Sequence, residues 1–153
     1  MKVLWEKEIP AEEIVVSPRP VWKCMACPMY GRRPSCPPHV PDWREAKEWV
    51  LHFKRALIVK FGINMDRFEQ DKREALLYLL KREEEFFREG KMYAFALFPG
   101  NCNLCDDCPF ERGEPCRLPT RVRPSIDALG IEIGRLVEID FSESVLYGMV
   151  LIE

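Results

Sequence analysis

Ala56-Leu57-Ile58-Val59-Lys60-Phe61-Gly62 reads as a buried strand that Gly62 closes. Asp66, with Glu69 three residues on, starts a long helix that Gly90 ends. Lys81, Arg82 and Arg88 lie toward its C-terminal end, where they complement the backbone dipole. Phe68, Leu76, Leu79, Leu80 and Phe87 form a core-facing stripe, and Leu77 and Phe86 join them as core candidates. Met92 to Phe98 is apolar on both faces, as expected of a central strand. Strand, long helix and strand make a βαβ unit, so the two strands are predicted to be parallel with a right-handed connection.

Upstream, Val3, Trp5 and Ile9 alternate with charged residues and predict a strand with one wet face. Ile14-Val15-Val16 reads as a second short strand, after which Pro18 and Pro20 break regular structure. Pro28, Pro34, Pro37, Pro38 and Pro41 stiffen the stretch from Trp22 to Pro41 and predict a loop without helix. Asp42 reads as a helix N-cap with Glu45 completing a capping box. Trp43, Ala46, Trp49, Val50 and Phe53 recur at helical spacing on one apolar face. Downstream, Ser125 to Gly130 and Ile131 to Ile139 read as short helices, and Ser144 to Ile152 as a closing strand. The whole predicts one α/β domain over residues 1–153: a mixed β-sheet with packed helices and a cysteine-rich metal-binding edge. A ferredoxin-like α+β sandwich is the alternative.

Hydrophobic residues make up 47% and charged residues 31% of the 153, a balance that excludes a disordered chain. A net charge of -2 argues against a protein built to coat nucleic acid. No apolar run approaches the roughly 20 residues that span a bilayer, and the charged start from Met1 to Glu8 lacks the apolar centre of a signal peptide. The expected setting is the cytoplasm. One Gln and one Thr beside 13 Pro and abundant Glu, Lys and Arg point to a thermophilic source.

Seven cysteines then need a role, because disulfides are rare in a reducing cytoplasm and an odd count cannot pair completely. Cys102-x-x-Cys105-x-x-Cys108, followed after seven residues by Cys116, is the sharper pattern. A C-x-x-C turn sets two sulfurs on one side of a tight loop, and another x-x-C wraps a third around the same centre. A 4Fe–4S cluster takes ligands from one such encircling loop. Zinc more often draws on two separated C-x-x-C knuckles, and it remains the alternative metal. Pro109 follows the third cysteine and Arg117-Leu118-Pro119 the fourth, which departs from the ferredoxin run, where Pro follows the last.

The other pattern is Cys24-x-x-Cys27, eight residues, then Cys36-x-x-His39. With His39 it would be a closed Cys3His zinc site. Without His39, three thiolates could hold an iron–sulfur cluster with one iron open to substrate. Both loops could also converge on one composite site. Arg112, Arg117, Arg121 and Arg123 surround Cys116, and Arg117, Arg121 and Arg123 are candidate cofactor-binding residues that would offset the negative charge of a thiolate-bound cluster. Equally, these arginines and Arg32 and Arg33 could lie on solvated loops. Asp106, Asp107, Glu111 and Glu114 are expected to face solvent, and His52 to be structural.

Cys24-x-x-Cys27-Pro28-x-Tyr30-Gly31, Cys36-Pro37-Pro38 and Gly100-x-Cys102-x-x-Cys105-x-x-Cys108 form a specific combination. With Cys116-Arg117-x-Pro119 and Arg123-Pro124-Ser125-x-x-Ala128-x-Gly130-Ile131, the chain resembles a prokaryotic family of predicted metal-binding proteins of unknown function. The resemblance spans nearly the whole chain. It implies metal binding and a prokaryotic, cytoplasmic setting, and it implies no reaction; His39 is not part of the shared pattern.

Three functions follow as expectations. The first is an iron–sulfur (4Fe–4S) protein with a redox or electron-transfer role, working with a redox partner. The second is an enzyme whose three-cysteine cluster binds a small-molecule substrate at an open iron. The third is a binding module whose loops zinc staples. No Ser–His–Asp set, phosphate-cradling glycine loop or pair of catalytic acids supports another chemistry.

Overall fold

The computed structural model describes residues 1–153. Four strands form one sheet: β1 (Lys2–Pro10), β2 (Arg55–Gly62), β3 (Phe95–Leu97) and β4 (Val145–Ile152), in the order β1-β2-β4-β3. Three helices accompany them: α1 (Arg19–Met25), α2 (Trp43–Val50) and α3 (Phe68–Arg88). The chain thus has the expected α/β make-up. The sheet, expected to be mixed, is antiparallel at every pairing. β2 and β3 do run in the same direction, but β4 lies between them and pairs antiparallel with both. The sequence of the βαβ segment fixes the direction of its strands but not which strand fills the gap.

That insertion also moves β3 from the centre to the edge. Only Phe95–Leu97 pair with β4, while Met92 and Tyr93 are exposed. The central strands are β2 and β4, and their side chains alternate between two buried layers. Ala56, Ile58, Met149 and Leu151 face one layer with Ala46 and Val50 of α2; Leu57, Val59, Phe61, Val150 and Ile152 face the other with Leu76 and Leu79 of α3. Gly148 permits the close approach of α3, since a Cβ there would lie 2.4 Å from a Leu79 methyl. β1 alternates as expected from Trp5 to Ile9, but a bulge between Val3 and Trp5 turns Val3 toward the α3 layer.

Several local expectations shift for identifiable reasons. Pro20 does not break structure: it occupies the first turn of α1, where its missing N–H is no loss. The segment from Trp22 therefore begins in a helix. Val16 makes only an isolated bridge to Ile131, so Ile14-Val15-Val16 is not a strand. Asp42 caps α2, its Oδ1 accepting the N–H groups of Arg44 (2.7 Å) and Glu45 (3.0 Å). α3 begins at Phe68 behind a 3-10 turn at Met65–Arg67, which Asn64 caps in place of Asp66. Phe86 is buried in the core, whereas Phe87 and Leu77 are exposed. The two helices read after Ser125 shrink to 3-10 turns at Asp127–Leu129 and Ile133–Arg135. No helix is long and apolar enough to cross a membrane.

Candidate metal centres

Cys24 lies in the last turn of α1, and the chain then folds through successive tight turns. The N–H of Cys27 donates to the Cys24 carbonyl (3.0 Å) and that of Tyr30 to the Cys27 carbonyl (3.0 Å). Gly31, at φ +70°, donates its N–H to the carbonyl of Pro37 at 3.0 Å and closes the loop. Cys24, Cys27 and Cys36 thereby line one cavity of about 210 Å³, together with Asn101 and Asp127 from later in the chain.

The second loop leaves edge strand β3 through Pro99-Gly100-Asn101. Cys108 precedes a 3-10 turn at Pro109–Arg112, which Gly113 ends at φ +77° before the chain returns to Cys116. Cys102, Cys105, Cys108 and Cys116 line a second, nearly filled cavity with about 10 Å³ free. No residue lines both cavities. All seven cysteines are free of disulfides. No three His, Cys, Asp or Glu side chains are placed to hold a single metal ion.

The two loops are fastened to each other. Ser35 is fully buried; its hydroxyl accepts the backbone N–H of Cys102 at 2.7 Å and lies 3.8 Å from the sulfur of Cys36. Its carbonyl accepts the N–H of Ser125 at 3.1 Å. Arg33 crosses from the first loop to donate to the Cys102 carbonyl (2.7 Å) and to Glu111 (2.7 Å), so it lines the second cavity. Helix α3 grips the second loop from below. Arg73 donates to the Asn103 carbonyl at 2.9 Å and pairs with Asp106 at 2.7 Å. Asn103 Nδ2 donates to the backbone (2.8 Å) and carboxylate (3.0 Å) of Glu69, leaving its buried Oδ1 without a donor.

Burial dominates the electrostatics. It pushes the Cys102 thiol up to about 11; the N–H of Leu104 pulls the other way, and Cys116, Cys108 and Cys105 add to the rise. Cys24 is likewise pushed up to about 11 by burial, then by Asp127, Cys36 and Cys27. Burial also raises Cys36, with the Ser35 hydroxyl opposing it. Without a cation these thiols hold their protons near neutral pH, and a metal would bind by displacing them. Crowding by protein atoms raises the Asp127 carboxyl, although part of the residue reaches solvent at the cavity mouth.

Lys72 of α3 is the buried cation nearby. The residue is 4% exposed, and its ammonium donates to Asn101 Oδ1 at 2.8 Å. Burial lowers its pKa, while Glu69, Cys102 and Cys36 favour its charged form. It therefore feels both cysteine groups at once. Arg33 is held protonated despite burial, by Glu111 and by the sulfurs of Cys108 and Cys102.

Of the candidate arginines, Arg117 lines the second cavity and reaches the Asp107 carbonyl at 3.5 Å. Arg121 is exposed, its backbone N–H bound to the Leu118 carbonyl. The guanidinium of Arg123 is engaged elsewhere: it forks onto Glu83 of α3 (2.8 and 2.6 Å) and stacks over Phe95. Arg112 pairs with Asp107 at 2.6 Å and with Glu114 at 3.4 Å. His39 does not line the first cavity. Its Nε2–H donates to the Gly31 carbonyl at 2.9 Å, and its ring meets Phe110 edge-on. His52 is exposed beside Glu48.

Sequence reasoning missed Ser35, Lys72, Asn101 and Asp127. Ser35 and Asn101 adjoin cysteines, which is a signal of place, though not of contact with the other loop. Lys72 is one cation among many on α3, and its position gives no sign of burial. Asp127 is separated from Cys36 by 91 positions of chain, and only folding joins them.

The sequence model of a family described as predicted metal-binding protein (DUF2284) matches residues 7–147. The chain belongs to this family. The match takes in both cysteine loops, both cavities, the whole of β2 and β3 and parts of β1 and β4. Comparison with curated proteins and with solved structures finds no match. Membership assigns a predicted metal-binding role and leaves the metal open.

Proposed function

We propose that this chain is an iron–sulfur protein with a redox or electron-transfer role, in which Cys102, Cys105, Cys108 and Cys116 hold a 4Fe–4S cluster and Cys24, Cys27 and Cys36 hold a second. One observation carries the reading: Cys102, Cys105, Cys108 and Cys116, all supplied by one encircling loop, line a single cavity, the arrangement by which a cubane takes its four thiolates.

The surroundings suit such a group. The N–H of Leu104 faces the Cys102 sulfur and that of Met29 reaches the Cys27 sulfur at 3.4 Å, as hydrogen bonds that temper cluster charge do. Buried Lys72 and the shielded Arg33 oppose the net negative charge of thiolate-bound iron. When bound, a cluster supplies reversible one-electron transfer. The chain's own part is to order the thiolates, restrict water and set the local potential. Arg117 and Arg121 remain on the second loop as groups that would screen the cluster or meet a redox partner. A reducing, cytoplasmic setting suits seven free thiols.

Anaerobic purification with analysis of iron, acid-labile sulfide and zinc tests the reading. It expects a brown protein with broad absorbance near ~400 nm and iron and sulfide in equal amounts. A colourless protein carrying stoichiometric zinc and no sulfide would overturn it and favour the loop-stapling role.

A further inference from the structure

The first centre has three cysteines, whereas each iron of a cubane takes one ligand from outside the cluster. His39 is turned away to the Gly31 carbonyl and Phe110. The cavity walls otherwise offer one carboxylate, Asp127. Neither a hydrogen bond nor a cation of the chain compensates that carboxylate.

Its position is tightly determined. Asp127 opens the 3-10 turn Asp127–Leu129, whose Ala128 and Leu129 are buried. Ser125 Oγ accepts the N–H of Ala128 at 3.1 Å and fixes the start of the turn. Gly130 ends it at φ +79°, and its carbonyl accepts the N–H of Ser17 at 2.8 Å, just before α1. A Cβ on Gly130 would sit 2.3 Å from the Ser17 carbonyl oxygen. The turn is thus locked under the same helix that carries Cys24. The turn therefore holds the carboxylate at the mouth of the cavity that Cys24, Cys27 and Cys36 line, where solvent also reaches it.

Resting on the iron–sulfur reading above, we infer that Asp127 is the fourth protein ligand of the first centre, completing a Cys24, Cys27, Cys36 and Asp127 set from two distant parts of the chain. The carboxyl binds as its anion, its proton passing to solvent, and no other bond changes. An oxygen donor in place of a fourth thiolate donates less charge to iron, which raises the centre's potential relative to an all-cysteine site. The two centres would then differ in potential by construction, one with four thiolates and one with three.

The test uses the full chain, purified anaerobically, with the Asp127→Cys, Asp127→Asn and Asp127→Ala variants. Wild type is expected to show two iron–sulfur centres by iron and sulfide content and two reduction waves. In Asp127→Cys, one wave moves to more negative potential and the other stays. In Asp127→Asn and Asp127→Ala, the electron paramagnetic resonance g-values of that same centre change or it loses iron, while the second centre's signal is retained and reports an intact fold. Two centres in wild type with g-values untouched by every substitution would overturn the inference and leave the iron–sulfur reading standing. Absence of iron and sulfide from wild type would remove both.

Discussion

The hydroxyl of Ser35 accepts the backbone N–H of Cys102 at 2.7 Å, and both residues are buried. One side chain of the first cysteine loop thus holds the opening residue of the second, 67 positions further along. Neither loop reaches its shape alone, since each would leave a polar group of the other without a partner.

Ser35→Ala strands the Cys102 N–H in a dry site. The expected loss is about 1–3 kcal/mol, the cost of an unmet buried donor. Chemical denaturation of the anaerobic protein measures it. Metal content should fall at the second centre as well as the first, and an unchanged denaturation midpoint would contradict the role given to Ser35.

The cysteines form two sets that share no lining residue. Cys105→Ala should therefore lose about half of the iron and retain the first centre's spectrum, and Cys27→Ala should do the reverse. Loss of all iron in either variant would point to one composite site.

Lys72 places a buried positive charge beside both sets. Lys72→Met keeps most of the volume and removes the charge, so an added electron is less well stabilised. Both reduction potentials should fall, by on the order of 50 mV for roughly 1 kcal/mol of lost attraction at an effective dielectric near 20. Voltammetry that finds neither wave moved would separate Lys72 from the centres.

Gly130 and Gly148 provide a contrast. At Gly148 an added Cβ meets buried Leu79, and Gly148→Ala should cost about 1–3 kcal/mol through overpacking while sparing the metal. At Gly130 the new Cβ meets backbone, and the left-handed φ adds about 1–2 kcal/mol. Gly130→Ala should therefore be the more destabilising, and it alone should alter the first centre's spectrum, because its turn carries Asp127.

Glu132 has its carboxyl held down at about 2, first by hydrogen bonds from Arg19 and then by the Ser17 hydroxyl. A folded value below the unfolded one means that the charged carboxylate stabilises the fold above about pH 4.5 and loses that contribution as pH falls toward 2. Glu132→Gln should be less stable than wild type near neutral pH, and the gap should narrow in acid. Denaturation midpoints for both proteins across that range check it. A gap that stays constant would show that the ion pair adds nothing.

Some of this architecture was legible in the chain because its causes are local. The apolar run 56–62, the Asp42 cap and the long helix up to Gly90 each follow from neighbours within a few residues, and each forms. Pro20 misled because a proline reads as a breaker whether it interrupts a helix or starts one. β3 misled because Met92 to Phe98 is apolar throughout, which an edge strand with one face against the core can also be.

By itself, the sequence determined the two cysteine groupings, the family and the α/β make-up, since spacing and periodicity act over short stretches of backbone. Tertiary structure alone decided that β4 enters between β2 and β3, that Ser35 and Arg33 reach across to Cys102, and that Asp127 lines the same cavity as Cys24. Those contacts join segments whose separation along the chain carries no periodic signal. Burial, which raises the thiols and isolates Lys72, exists only once both faces of the sheet are covered.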